Sequence, residues 1–405
     1  MKEFETYILP NGIKGIHRRT KSSIAHCALV VNAGTRDERD GEHGLAHFAE
    51  HAFFKGTEHR KAYQVNCRLE NRGGELNAYT TKEDTTIHAT TLRSDFAKAA
   101  ELISDVAFHS TFPEHELQRE REVIIDEINT YKDSPVDMIF DTFEDMIFEG
   151  SELGHNILGT KASLARHNSQ SIKRFISRTH TTDQMVFSTI GNFSLAKVKS
   201  VAEQYFGLHA ATKREFSRSK PTMVEPFERV VNKHTHQTHC IIGARAYDIH
   251  AERRLPLSLL INILGGPSAN SRLNVVLREK NGLSYNTEAT YTPYNDSGMV
   301  AIYFSSDHHN ADHCRELIDA ELRSLRTTPL TARRLAMIKR QFLAQMAISM
   351  ENNEGYMLGA GKSYLVHDEI DTLEEVYRKV SAVKAEQIME VAEEIFSKTS
   401  TLIYQ

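Results

Sequence analysis

The sequence predicts an α+β protein of two structurally similar domains that arose by internal duplication, each a mostly antiparallel β-sheet with helices packed on it. Three observations carry this expectation. The chain has 405 residues, more than one ordinary core accommodates and suited to two domains of about 200 residues. Each half runs through strands, helices, paired strands and long helices in the same order. The segments HCALVVNAG at His26 and HCIIGARAY at His239 align at an offset of 213 residues. Between the halves, HAATKREFSRSKPTMVEPFE mixes Ser, Pro and charge with little apolar periodicity, as an exposed linker does. The expected division is therefore 1–208, a linker at 209–228, and 229–405.

Taken in order, residues 3–20 read as a β-hairpin, with Asn11-Gly12 as a two-residue turn signal between apolar runs. A buried strand follows at 25–33. A helix at 62–71 is stopped by Gly73-Gly74, and strands are expected at 76–81 and 84–92, the second rich in β-branched residues. Helices are expected at 95–109, at 114–132 behind Pro113, at 136–148, at 171–178 and at 195–206, with MVFSTIG as a strand among them. The second half repeats this with strands at 228–233 and 239–245, helices at 255–264 and 271–280, and paired strands within 285–305.

Composition narrows the classes of function. With 40% hydrophobic and 25% charged residues, and no apolar run near the ~20 residues of a membrane span, no membrane association is expected. The opening MKEFETYILPNG lacks the apolar core of a signal peptide, so a cytoplasmic protein is expected. A net charge of −5 without long blocks offers no footprint for nucleic acid. Cys27, Cys67, Cys240 and Cys314 lie too far apart for a cysteine metal site and read as free, buried thiols.

The stretch GLAHFAEHAFFKGT carries chemistry. His47 and His51 are four apart and share a helix face, with Glu50 beside them. Two such imidazoles can grip one Zn²⁺, and a free carboxylate next to them can serve as general base toward a zinc-activated water. H-x-x-E-H is the inverse of the commoner H-E-x-x-H zinc motif. Read alone, the five residues also describe an ordinary exposed helix face. A catalytic zinc needs a third ligand, and the helix after Pro113 offers Glu120 and Glu127, seven apart on one face. They lie 69 and 76 residues beyond His51.

With these spacings the chain resembles the pitrilysin or insulinase-type metallopeptidases, and among them the half-size, mitochondrial-processing-peptidase-like members. The resemblance extends through GTRDE at 34–38, FKGT at 54–57, LNAYTTKEDT at 76–85, LGHNILGT at 153–160 and LREKNGLSY at 277–285. It implies that the first domain is the zinc-binding peptidase domain, that His47, His51 and Glu127 hold one Zn²⁺ per chain, and that Glu120 supports them. It implies that Asn77 and Ala78 pair with substrate as an added strand, although from sequence the segment is equally an edge strand. It further implies that Arg278 and Tyr285, in an inactive second domain, contact substrate. Their residue types suit anchoring and oxyanion stabilisation. At the 213-residue offset Leu260, Ile263 and Leu264 replace His47, Glu50 and His51, so the second copy lacks the metal set. Gly265-Gly266-Pro267 fits no phosphate loop.

The expected function is zinc-dependent endopeptidase activity on unfolded peptides or leader-like segments. A homodimer is expected, with sites shared between chains. The rivals are a non-catalytic scaffold like the respiratory core subunits of this fold, and a dedicated maturation protease for one precursor.

Overall fold

Strand order carries the duplication. The structure, a computed structural model, describes residues 3–405. In one unit β1 (Glu5–Ile8), β2 (Lys14–Arg19), β3 (Ile24–Val31), β4 (Glu75–Thr80), β5 (Thr85–Leu92) and β6 (Met185–Gly191) form a six-stranded sheet ordered β1-β2-β6-β3-β5-β4. Every neighbouring pair is antiparallel except β2 and β6. In the other, β7 (Glu228–Val231), β8 (Thr238–Ala246), β9 (Thr287–Pro293), β10 (Gly298–Ser306) and β11 (Ser400–Tyr404) are ordered β7-β11-β8-β10-β9. Here only β7 and β11 are parallel. Leaving out β1, the two orders correspond strand for strand, directions included. Cys27 and Cys240, equivalent at the 213-residue offset, lie on the corresponding strands β3 and β8.

Both faces of each sheet are covered, which is why β3 and β8 read as nearly unbroken apolar runs. In the first unit the helix Phe96–His109 packs on one face of β3 and β5. Ala28, Val30, Val186 and Ile190 point the other way, against Met357, Ala360 and Tyr364 of the helix Asn353–His367. In the second unit Cys240, Ile242, Val300 and Ile302 meet Leu257, Leu260 and Leu264 of the helix Arg254–Gly265. The opposite face, with Ile241, Ala301, Tyr303 and Leu402, is covered by Ile139, Phe143 and Ile147 of the helix Pro135–Ile147.

Each half of the sequence thus lends a helix to the other half's sheet. The first unit comprises the chain up to Asn129, His155–Arg218 and Ile348–Thr372, and the second comprises Thr130–Gly154, Ser219–Ala347 and Leu373–Gln405. This departs from the contiguous division at 208 and 229. The apolar faces of the two exchanged helices reveal that they are buried, but not against which sheet.

The linker differs too. Residues 209–227 carry no helix or strand, yet Arg218 is half-buried, its guanidinium donating to both Asp37 carboxylate oxygens (2.9 and 2.7 Å) and to the Glu83 carbonyl (2.8 Å). The segment is mostly exposed, as its polar composition suggested, but it also supplies a tether, and residues up to 218 belong to the first unit. The opening turn has three residues rather than two. Leu9 and Ile13 pair across it, Gly12 N donates to the Leu9 carbonyl (2.9 Å), and Gly12 takes φ +95, the three-residue pattern with a left-handed glycine. The helix expected at 271–280 is π-wound over Asn274–Glu279. All four cysteines are free, with Cys67 half-buried and the others buried. Among the described residues no helix is long and apolar enough to cross a membrane.

Helix Asn353–His367 lies close to its sheet at Gly361, where an added Cβ would come 3.0 Å from Val30 Cγ2 and 3.2 Å from Ser188 Cβ. At Gly359 of the same helix it would meet nothing within 4 Å. Gly361→Leu is therefore expected to lower unfolding free energy by about 1–3 kcal/mol through overpacking. Gly359→Ala should raise it by up to about 1 kcal/mol through helix propensity. Urea unfolding of the two variants checks the pair.

Candidate metal centre

The helix Leu45–Phe53 carries the H-x-x-E-H motif, and its N-terminus is held by segments distant in sequence. Gly44 precedes it with φ +83, and a Cβ there would lie 2.7 Å from the Leu158 carbonyl oxygen and 2.9 Å from Gly159 Cα. The backbones of HGLAH and LGHNILGT meet at two glycines because only glycines let them approach so closely. The helix's free amides go to Glu38, whose carboxylate accepts from Gly44 N (3.0 Å) and Ala46 N (2.8 Å), a buried acidic cap at the positive end of the helix. Glu38 in turn follows the 3₁₀ turn Thr35–Asp37. There Asp37 accepts from Gly34 N (2.9 Å) and pairs with Arg218. Burial pushes the Glu38 carboxyl well up, against the pull of the amides it accepts from.

The helix Glu114–Lys132 supplies the two glutamates. Glu120 is buried, and its Oε1 accepts from His51 Nδ1 (2.8 Å) while its Oε2 pairs with Lys55 (2.5 Å). Two turns on, Glu127 is exposed, with Oε2 3.8 Å from His47 Nε2 and 3.7 Å from His51 Nε2. The imidazoles meet edge to face at 4.6 Å, and one ligand atom from each of His47, His51 and Glu127 lies within 4.8 Å of the others. Ligands about 2.0–2.1 Å from a tetrahedral zinc are about 3.3–3.4 Å apart, so the glutamate oxygen need approach each histidine nitrogen by only a few tenths of an ångström around an ion.

Protonation suits the same purpose. Burial, with His51 adding, lowers His47 to about 3, so it stays neutral with a free lone pair. Its Nδ1 is buried and makes no hydrogen bond, so the protein's own hydrogen bonding leaves the ring uncommitted. Burial acts to lower His51 as well, but the Glu120 hydrogen bond and the charges of Glu50, Glu120 and Glu127 outweigh it and raise it. Burial acts to raise Glu120, and the hydrogen bonds from His51 and Lys55 prevail and lower it. An ionised Glu120 assigns the His51 proton to Nδ1 and leaves Nε2 for a metal. Glu50 is raised, chiefly by burial with Glu127 adding, against the influence of Thr80 and His51.

The remaining residues fall in two places. Asn77 is exposed and Ala78 half-buried on β4, which pairs only with β5 and so forms an edge of the first sheet. Arg278 and Tyr285 belong to the second unit. Both are exposed, with the guanidinium 4.8 Å over the tyrosine ring. Sequence reasoning did not assign roles to Glu38 and Lys55, although GTRDE and FKGT were recognised as matched segments. In the second unit Leu260, Ile263 and Leu264 are core residues.

A duplicated α+β scaffold with an inverted zinc motif in its first copy alone defines a zinc-protease type of protein. The family model described as Insulinase (Peptidase family M16) matches residues 16–161, and that of the Peptidase M16 inactive domain matches residues 167–342. The chain belongs to this M16, pitrilysin-type family. It is 32% identical to the uncharacterized zinc protease YmxG of Bacillus subtilis (strain 168), over 98% of this chain and 96% of that protein. It is 31% identical to an uncharacterized zinc protease of Rickettsia bellii, over 92% and 90% of the two chains. A solved protease from Helicobacter pylori shares the fold with TM-score 0.91 and 22% identity over 99% of each chain. A solved M16 inactive-domain protein from Pseudomonas fluorescens does so with TM-score 0.92 and 17% identity over 100% of this chain and 98% of that one. The Bacillus and Rickettsia proteins support zinc use and a zinc-protease role, and the two solved structures show the fold.

The cap on the motif helix is open to test. Glu38→Gln keeps one acceptor oxygen but turns an NH₂ toward the second amide, so one buried bond is lost and a donor left unsatisfied. A loss of about 1–3 kcal/mol is expected in chemical unfolding. An unchanged midpoint would mean that the carboxylate does not hold the helix.

Proposed function

We propose that the chain is a zinc endopeptidase acting on unfolded peptides and leader-like segments. The observation that supports this most is the convergence of His47 Nε2, His51 Nε2 and Glu127 Oε2 with the half-buried Glu50 on the same helix. Bound by these residues, one zinc per chain would supply a Lewis acid that acidifies water and polarises a peptide carbonyl. Glu50 takes a proton from the attacking water and passes it to the leaving amine, a task suited by a carboxyl that burial has made more basic. Glu120 fixes the His51 tautomer, and Lys55 keeps Glu120 ionised. Substrate lies along β4 as an added strand, held by main-chain hydrogen bonds near Asn77 and Ala78. This recognises an extended backbone and tolerates varied side chains. Folded proteins offer no such free strand, so they are poor substrates.

Glu50→Gln should retain zinc and the fold while hydrolysis of a denatured peptide library drops by about 10²–10⁴-fold. Undiminished cleavage would exclude Glu50 as the base. Glu127→Gln should lose most of its zinc on dialysis and Glu120→Gln less, since the first removes a ligand and the second only its support. Equal retention would leave the third ligand elsewhere.

We further propose a homodimer in which Arg278 and Tyr285 serve the partner's zinc set, Tyr285 donating to the oxyanion and Arg278 anchoring the substrate. Mixing and refolding Glu50→Gln with Tyr285→Phe then restores one intact site in each mixed dimer, and about a quarter of parental activity under random pairing. Activity no higher than the mean of the two variants, with chain exchange confirmed by a tag, would exclude shared sites.

A further inference from the structure

A second group of metal-binding side chains lies where the loop after the motif helix meets the end of the helix Phe96–His109. We propose that His59, Asp105 and His109 form a site for a divalent transition-metal ion, separate from His47, His51 and Glu127. Asp105 and His109 are four apart and share a helix face. The loop that brings His59 to them is tied down by its backbone. Glu58 N donates to the His109 carbonyl (2.9 Å), Thr111 N to the Gly56 carbonyl (3.1 Å), and Thr57 N to the Arg60 carbonyl (2.8 Å). Thr57 Oγ1 accepts from His59 N (3.1 Å) and Arg60 N (3.0 Å).

The donor atoms converge. His59 Nδ1 is 2.6 Å and His109 Nδ1 3.4 Å from Asp105 Oδ1, the two rings meet edge to face at 4.8 Å, and one ligand atom from each residue lies within 4.8 Å of the others. The second carboxylate oxygen is already committed. Oδ2 accepts from Thr57 Oγ1 (2.8 Å) and Arg60 Nη1 (2.5 Å), and Arg60 is balanced by Glu101 (2.7 Å). A carboxylate with one oxygen held by protein donors and the other facing two imidazoles is arranged as a monodentate ligand with its outer support in place. Burial acts to raise Asp105, and the hydrogen bonds from His59, Thr57 and Arg60 prevail and keep it ionised.

A plain ion pair between His59 and Asp105 accounts for part of this cluster only. It leaves His109 Nδ1 buried and without a hydrogen bond, a cost that a cation shared by both imidazoles removes. Two histidines and one carboxylate suit Zn²⁺, Co²⁺, Ni²⁺ or Cu²⁺ and not Ca²⁺ or Mg²⁺, which prefer all-oxygen sites. The His59 side chain is 58% exposed, so ions can enter and water can complete the coordination.

Equilibrium dialysis of the full chain against Co²⁺, with bound metal measured per chain, tests the proposal. The parent should hold about two ions, His47→Ala about one, His59→Ala about one, and the double variant close to none. The circular dichroism spectrum of His59→Ala should match the parent's, so a lost ion reports ligation and not misfolding. A His47→Ala variant that holds no ion, or a His59→Ala variant that holds as many as the parent, would overturn the proposal. So would loss of the second ion to millimolar Mg²⁺. The readout is metal content alone, so it stands or falls independently of peptidase activity.

Discussion

The carboxylate of Glu38 against the first amides of the helix Leu45–Phe53 is the interaction on which the candidate centre depends. His47 and His51 can converge on Glu127 only if their helix has a fixed start and a fixed rotation. Its own sequence supplies neither, since it begins at a glycine without a side-chain cap. The cap comes from GTRDE, which Arg218 and Gly34 secure through Asp37. Gly159 of LGHNILGT allows the backbone to pass. Separate stretches of sequence thus converge on one helix end, and a burial cost on Glu38 is the electrostatic consequence.

What was legible in the sequence follows from how local each feature is. His47, Glu50 and His51 could be read because three- and four-residue spacings fix a helix face wherever the helix sits. The pairing of Glu120 with Glu127 was readable for the same reason. That they meet the motif helix followed from family resemblance, because no periodicity spans about 70 residues. Glu38, Lys55 and Arg218 act across tertiary space, and an acidic residue nine positions before a histidine has no helical meaning. The Asn11-Gly12 turn was placed correctly and its length was not. Its extra residue is set by the pairing of Leu9 with Ile13, which a dipeptide signal does not encode.

The second copy shows what the scaffold requires without the metal. Leu260, Ile263 and Leu264 fill the core of the second unit, so the corresponding helix turns inward the face that in the first copy bears imidazoles. Aliphatic side chains stand where the first copy has two histidines and a glutamate, while strand order and direction are unchanged. The fold therefore does not need the metal set, and the site has been added to an architecture that holds together by burial.

The reciprocal helix exchange has a consequence for synthesis. The strands of the first sheet are all made by Gly191, but the helix that covers the face of Ala28, Val30, Val186 and Ile190 begins only at Asn353. At ~5–20 residues per second, the roughly 160 intervening residues take about 10–30 s to emerge from the ribosome. Throughout that interval the nascent first half presents a bare apolar sheet face. The chain therefore completes its first unit almost last, and a ribosome stalled after Gly191 carries a sheet that invites capture by a chaperone or by another nascent copy.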